Sequence, residues 1–331
     1  MSRNNNLQEK VTTAKATLTV VIIVVSALWL MGSFTSISEV SSSDIWQRVT
    51  EVVKGALLRD VIGYALLCIA TLQMVLLNNT FALIRTHTGF HLTLFFLFAG
   101  LLSPQTLAVT SALVPFMLLS IQSLFHTYQN REAMGYAFQC CMFLSIGSLF
   151  FPPMLFFIPL FLGAMINYMA MTPRTFMASI MGLLAPYWVL FAYAFCTDKL
   201  DIFVRLWEKL VPTLPDYSAL SLVDELSLVF IWLVTIVSSI NCMQQNFSDK
   251  IRTRYHLGFL ILLQLWTSVL IILQPSDYQA LFPLLFIGSS ILGGHFFTLS
   301  HGRWTNAFFI LCSLLFIALI GFKVWTHLSN F

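Results

Sequence analysis

Uninterrupted apolar runs of about 18–22 residues recur along this chain, beginning with TLTVVIIVVSALWLMGSF at Thr17–Phe34. Runs of that length suit helices that cross a hydrocarbon core of ~30 Å. Lipid offers the backbone no hydrogen-bond partner, so it admits only helices and closed barrels. A barrel would show segments of roughly ten residues alternating apolar and polar, and these runs do not alternate. Composition agrees: 58% of residues are hydrophobic, 9% are charged and the mean hydropathy is +0.84. A soluble domain carries about a quarter charged residues. The sequence therefore predicts an all-α, polytopic membrane protein.

The first run follows Arg3, Lys10 and Lys15 as the apolar core of a signal peptide would. No small-residue cleavage site comes after it, so it reads as a retained first span. Eleven spans are expected, near 17–35, 60–78, 90–102, 105–126, 133–150, 153–171, 175–196, 220–242, 254–273, 278–298 and 304–325. Ser103-Pro104 and Pro152-Pro153 mark tight hairpins, because proline stops a helix and pushes the residue before it out of the helical region. The six cysteines show no C-x-x-C spacing and fall mostly within apolar runs, which predicts free, buried thiols.

Charge sets the orientation. With the N-terminus inside, the inner segments hold ten cations and three acids, a net +7. The outer segments hold seven cations and eleven acids, a net −4, and the two sides make up the chain's +3. Basic residues accumulate on the cytoplasmic side of helical membrane proteins. The expectation is a bacterial inner-membrane protein with a cytoplasmic N-terminus and, after eleven spans, an outer C-terminus.

Two outer segments are polar enough to stand out. From the N-cap candidate Ser43, apolar residues fall at Ile45, Trp46, Val49, Val52, Val53, Ala56 and Leu57, one face of a 3.6-period helix. Asp44, Arg48, Glu51 and Lys54 occupy the rest of its circumference. Such a helix lies flat at the membrane surface with Trp46 at headgroup depth. In the second segment Thr197 reads as a cap, with an apolar face at Leu200, Phe203, Val204, Trp207, Leu210 and Val211. Asp201 and Arg205 can pair there at i, i+4.

The spans themselves lack ionisable groups near their centres, which an ion-driven transporter would need. Gln73, Gln139, Asn167 and Gln264 read as helix-to-helix hydrogen-bonding groups. His87 and His91, in HTGFH, stand at the spacing that puts two imidazoles on one helix face. His126, His256, His295 and His301 also fall near the inner surface. A di-iron oxygenase needs further histidine boxes, and no H-x-x-H-H follows, so interfacial histidines and no metal or cofactor are expected.

The runs LFFLFAGLLSPQTLAVTSALVPFMLLSIQSLF, FQCCMFLSIGSLFFPPMLFFIPLFLGAMI and IMGLLAPYWVLFAYAF resemble a family of multi-pass inner-membrane proteins of Bacteroidetes-type bacteria. That family's activity is not established, so this resemblance implies a fold and no chemistry. The topology also resembles GT-C-type glycosyltransferases, which move sugars from polyprenyl phosphate at the outer membrane face. In one branch of that class a seven-span module carries its outer loops after the first and seventh spans, as residues 17–215 do here, with helices at 43–58 and 198–211. Residues 1–16 would then be a cytoplasmic tail and 216–331 a four-span bundle.

What the second resemblance implies is an outer acid that activates an acceptor hydroxyl and cations that hold the lipid phosphate. Glu39 and Asp44 are the candidate acids, and Arg48, Lys54 and Arg59 the candidate phosphate contacts. No Asp-x-Asp pair closes the first span, and Asp44 also suits the first turn of a helix, where an acid complements the dipole. The functional expectation is a role in envelope glycan or lipid metabolism, as a polyprenyl-phosphate-sugar-dependent transferase at the outer face. A catalytically silent scaffold and a lipid or polysaccharide transporter are the alternatives. The partners would be membrane lipid and a polyprenyl phosphate sugar, and no nucleic acid.

Overall fold

The computed structural model describes residues 7–32, 43–53, 55–86, 88–101, 109–210, 222–245, 249–300 and 302–329, all helix and connecting turns with no strand among them. In chain order the helices are α1 (Leu7–Thr13), α2 (Lys15–Gly32), α3 (Asp44–Val52), α4 (Ala56–Phe81), α5 (Phe90–Leu101), α6 (Val109–His126) and α7 (Met134–Phe150). They continue with α8 (Ile158–Asn167), α9 (Pro173–Cys196), α10 (Asp201–Glu208), α11 (Leu222–Gln244), α12 (Ile251–Leu273), α13 (Tyr278–Leu299) and α14 (Arg303–Ser329). Short 3-10 turns at Pro152–Phe157 and Pro275–Asp277 lead into α8 and α13. Among the described residues six helices, α4, α9, α11, α12, α13 and α14, are long and apolar enough to cross a membrane, and α2 and α5–α8 contain shorter apolar stretches. The surface repeats the message: Val20, Ile23, Leu72, Trp188, Val189 and Ile317 point outward. Burying such residues is what water would force, so their exposure identifies lipid as the solvent. This is a membrane-embedded, multi-pass helical protein.

α13 is the axis. Every residue of it except Gln279 and Leu299 is buried, and α5, α6, α11 and α12 pack around it. In lipid, helices associate through close van der Waals packing and interhelical hydrogen bonds, for which small residues clear the way. The stretch from Gly288 to Gly294 supplies them. A Cβ on Gly288 would collide with the Gln264 side chain of α12, and one on Gly294 would stand 2.7 Å from His91 Cβ of α5. The cleared space is used: Gln264 Nε2 donates to Leu285 O at 2.6 Å. Thr235 Oγ1 of α11 donates to Ile231 O, so the Ser289 hydroxyl donates to Thr235 Oγ1 at 2.8 Å. Gly182 does the same for the α7–α9 pair, where its Cα faces the Phe138 carbonyl.

The shortest interior helix follows from this arrangement. α5 has 12 residues, a rise of about 18 Å, too little to cross a hydrocarbon core of ~30 Å. Apart from Leu97 all of α5 is buried, so protein covers it instead of lipid. Of the polar groups expected to join helices, Gln264 does so, while Gln139 and Asn167 face outward. The thiols are free, with Cys140, Cys141, Cys242 and Cys312 buried, Cys68 half-buried and Cys196 exposed. The hairpin at Ser103-Pro104 lies outside the described residues.

Candidate functional site

The acidic end of the bundle carries the residues that the sequence singled out. Ser43 caps α3 as expected: its backbone is extended and its Oγ accepts from Trp46 N at 3.3 Å. The same hydroxyl donates to Leu149 O at 2.6 Å, and Ser43 N donates to Phe150 O at 3.0 Å, so the cap also bolts α3 to the end of α7. Trp46 turns into the protein, 7% exposed and edge-on to Phe150 with centroids 5.5 Å apart. Its role is docking, where a headgroup-facing anchor was expected.

The second surface helix departs further from its sequence reading. Thr197 ends α9, its Oγ1 bonding Tyr193 O, and α10 begins after Leu200 without a side-chain cap. Ile202 and Leu206 are the residues that α10 buries, whereas Leu200, Val204 and Trp207 face outward. Ile202 and Leu206 form one apolar stripe and Leu200, Val204 and Trp207 another, and hydropathy alone cannot tell which faces the protein. Arg205 does not pair with Asp201; with Lys209 it lines a cavity of about 10 Å³ bounded by Ser43, Ile45, Ile202 and Leu206. α3 and α10 thus touch one another, with room between them for about one water.

Of the five candidate site residues, Asp44 and Arg48 lie on the backbone of α3, and Glu39 and Lys54 lie outside the described residues. Arg59 is half-buried near the start of α4, its Nε enclosed with no hydrogen-bond partner among the described residues. Asp60 follows it and is buried. Two further acids stand at this end. Asp277 is buried within electrostatic reach of Lys209, and Asp224 Oδ2 accepts from Tyr278 Oη at 2.7 Å. Asp60 and Asp277 are acids that the sequence reading counted in the outer charge and passed over as site residues. Their positions at helix starts beside apolar runs were the available signal.

The basic end is knit together differently. Asp249, its side chain fully enclosed, accepts from Arg85 Nε at 2.6 Å and meets His295 Nε2 at 3.2 Å. Its backbone carbonyl accepts from Arg254 Nε at 2.9 Å. One residue thereby joins the α4–α5 link, the start of α12 and the axial helix. Gln8 of α1 reaches in beside it, donating through Nε2 to Phe297 O at 2.7 Å and Ser300 O at 2.9 Å.

The histidines correct the sequence reading at one point. α5 begins at Phe90 and carries His91 in its first turn, while His87, the other half of the HTGFH pair, lies outside the described residues. His91, His256 and His295 are buried in the bundle, where interfacial positions were expected. No group of three His, Cys, Asp or Glu side chains able to hold a metal occurs among the described residues. His256 stacks on Phe125 with centroids 4.2 Å apart. Arg252 Nε, which can only donate, lies 3.3 Å from His256 Nε2. That nitrogen is therefore the acceptor, and Nδ1–H donates to Tyr168 Oη at 3.2 Å. Tyr168 Oη in turn donates to Tyr255 O at 3.4 Å.

Comparison with family models, curated proteins and solved structures finds no match to this chain.

Proposed function

We propose that this chain is an eleven-span protein of a bacterial inner membrane, with its basic end in the cytoplasm, and that it works in envelope glycan or lipid metabolism at the outer face. Its ligand there is a polyprenyl-type lipid phosphate, and its chemistry is sugar transfer of the GT-C type. One observation carries the reading: two amphipathic helices meet on the acidic end, where Arg205 and Lys209 line the gap between them and Lys209 lies within electrostatic reach of buried Asp277, with Arg59 and buried Asp60 near the start of α4. Cations at headgroup depth are what a lipid phosphate needs, and an enclosed carboxylate is what an acceptor hydroxyl needs. The charge asymmetry of +7 against −4 supports the orientation.

The test is polyprenyl phosphate binding by purified protein, wild type against the double variant Arg48→Ala, Arg59→Ala. Hydrogen bonds to charged groups contribute about 1.5–3 kcal/mol each, so the double variant should bind roughly a hundredfold more weakly. Equal binding by the two proteins removes the lipid-phosphate reading.

A second reading has its own support. The cavity of about 10 Å³ between α3 and α10 has no room for a sugar phosphate, which favours a catalytically silent scaffold. Sugar transfer lost on changing Glu39, Asp44 or Asp60 to the corresponding amide selects the enzyme. A membrane assembly defect caused by disrupting α3–α7 docking, with all three acids dispensable, selects the scaffold.

A further inference from the structure

A second cavity lies at the opposite end from the proposed transferase site. It measures about 540 Å³ and is lined by Phe125, His126, Tyr128, Gln129, Asn130, Ile251 and Arg252. Several of the polar groups around it are donors with no acceptor among the described residues. Arg252 uses Nε on His256, and its guanidinium carbon sits 5.1 Å from the Phe81 ring centroid. It has no carboxylate partner among the described residues. His126 makes ring contacts only, stacked on Tyr136 and edge-on to Phe81. Asn130 spends its Oδ1 on Glu132 N, which leaves its amide NH₂. α12 starts here without a side-chain cap, so the amides of its first turn are also uncapped.

Arg252 is moreover held in place. The chain Arg252 Nε–H to His256, His256 to Tyr168 and Tyr168 to the Tyr255 carbonyl fixes its guanidinium from behind. Phe81 supports it from one face. A surface arginine kept only for solubility needs no such support. Asp249, the nearest acid in sequence, is taken up by Arg85 and His295. Glu132, in the α6–α7 turn, is exposed.

We propose that this cavity is a binding site for a phosphate group, with Arg252 as the principal contact, His126, Asn130 and the first-turn amides of α12 as further donors, and His256 and Tyr168 as positioning residues. A planar guanidinium pairs with phosphate through two parallel hydrogen bonds, and a helix N-terminus adds backbone donors and a favourable dipole. The site is independent of the outer-face reading and stands if that reading fails. The phosphate has two possible sources, a lipid headgroup or a soluble phosphate. Ile251, which lines the cavity, and Tyr136, stacked on His126, are exposed and offer an apolar bed to an acyl chain.

The experiment is calorimetric titration of full-length protein in neutral detergent with short-chain phosphatidic acid and, separately, with inorganic phosphate. Wild type should bind at least one of them saturably. Arg252→Gln should weaken that binding ~10–100-fold, Arg252→Lys should weaken it less, and Arg174→Gln, a surface cation at the same end, should leave it unchanged. Tighter binding of the lipid identifies a headgroup site; equal binding of both identifies a soluble phosphate. If Arg252→Gln does not fold, His126→Phe decides: it preserves the ring stack on Tyr136 and removes the donor, and should weaken binding several-fold. No saturable binding of either probe by wild type overturns the proposal, and so does an equal loss in Arg174→Gln.

Discussion

The two ends of this bundle are built on opposite plans. At the acidic end, short amphipathic helices lie on the surface, clipped on by a few cap contacts such as Ser43 with the Leu149 and Phe150 carbonyls, around a cavity of about 10 Å³. At the basic end, polar side chains penetrate the bundle and join segments far apart in the chain, around a cavity of about 540 Å³. Charge is the physical reason. The basic end must keep its few acids from being unpaired among many cations, and it does so by enclosing Asp249 between Arg85 and His295. The acidic end has acids to spare and places Asp60, Asp224 and Asp277 near helix starts, while α3 is held by the Ser43 cap and the docking of Trp46 on Phe150. The basic end is thus the cross-linked one, and the acidic end the one whose surface helices are only clipped on.

Replacing the keystone of the cross-linked end should cost the most. Asp249→Ala removes the carboxylate that Arg85 and the buried His295 share, and removing one partner of an enclosed pair costs about 3–5 kcal/mol. Because Arg85 is 43% exposed, about 3 kcal/mol is expected, read as a lowered unfolding midpoint of the whole protein in detergent. Gln8→Ala comes next. It strips donors from the Phe297 and Ser300 carbonyls, at about 2 kcal/mol, and should release α1 to fast hydrogen exchange without altering α12. Ser43→Ala at the other end should cost about 1 kcal/mol. Its effect should be confined to α3 and the end of α7, with the midpoint unmoved. A global loss of stability from Ser43→Ala would erase the distinction between a cross-linked end and a clipped one.

The helices were legible because their apolar runs are long and uninterrupted, and the Ser43 cap because capping is a local signal. The direction of α10 was not legible, since Leu200, Val204 and Trp207 are as apolar as the Ile202 and Leu206 that the protein buries. Nor were the buried histidines. His256 stands next to charged residues in RTRYH and reads as interfacial, yet stacking on Phe125 and hydrogen-bonding to Tyr168, 88 positions away, draws it inside. Asp249 presented itself as one acid in a basic loop, and its bond to Arg85 spans 164 positions. Of the proposed site, the amphipathic helices were visible because they carry a period, while buried Asp60 and Asp277 carry none.

The claim on which the functional reading rests is that the basic end faces the cytoplasm and the acidic end faces outward. Reporter fusions after Arg131, in the α6–α7 turn, and after Ser218, between α10 and α11, test it directly. The account predicts that the Arg131 fusion reports the cytoplasm and the Ser218 fusion the outside. Finding both in one compartment, or the two reversed, contradicts it.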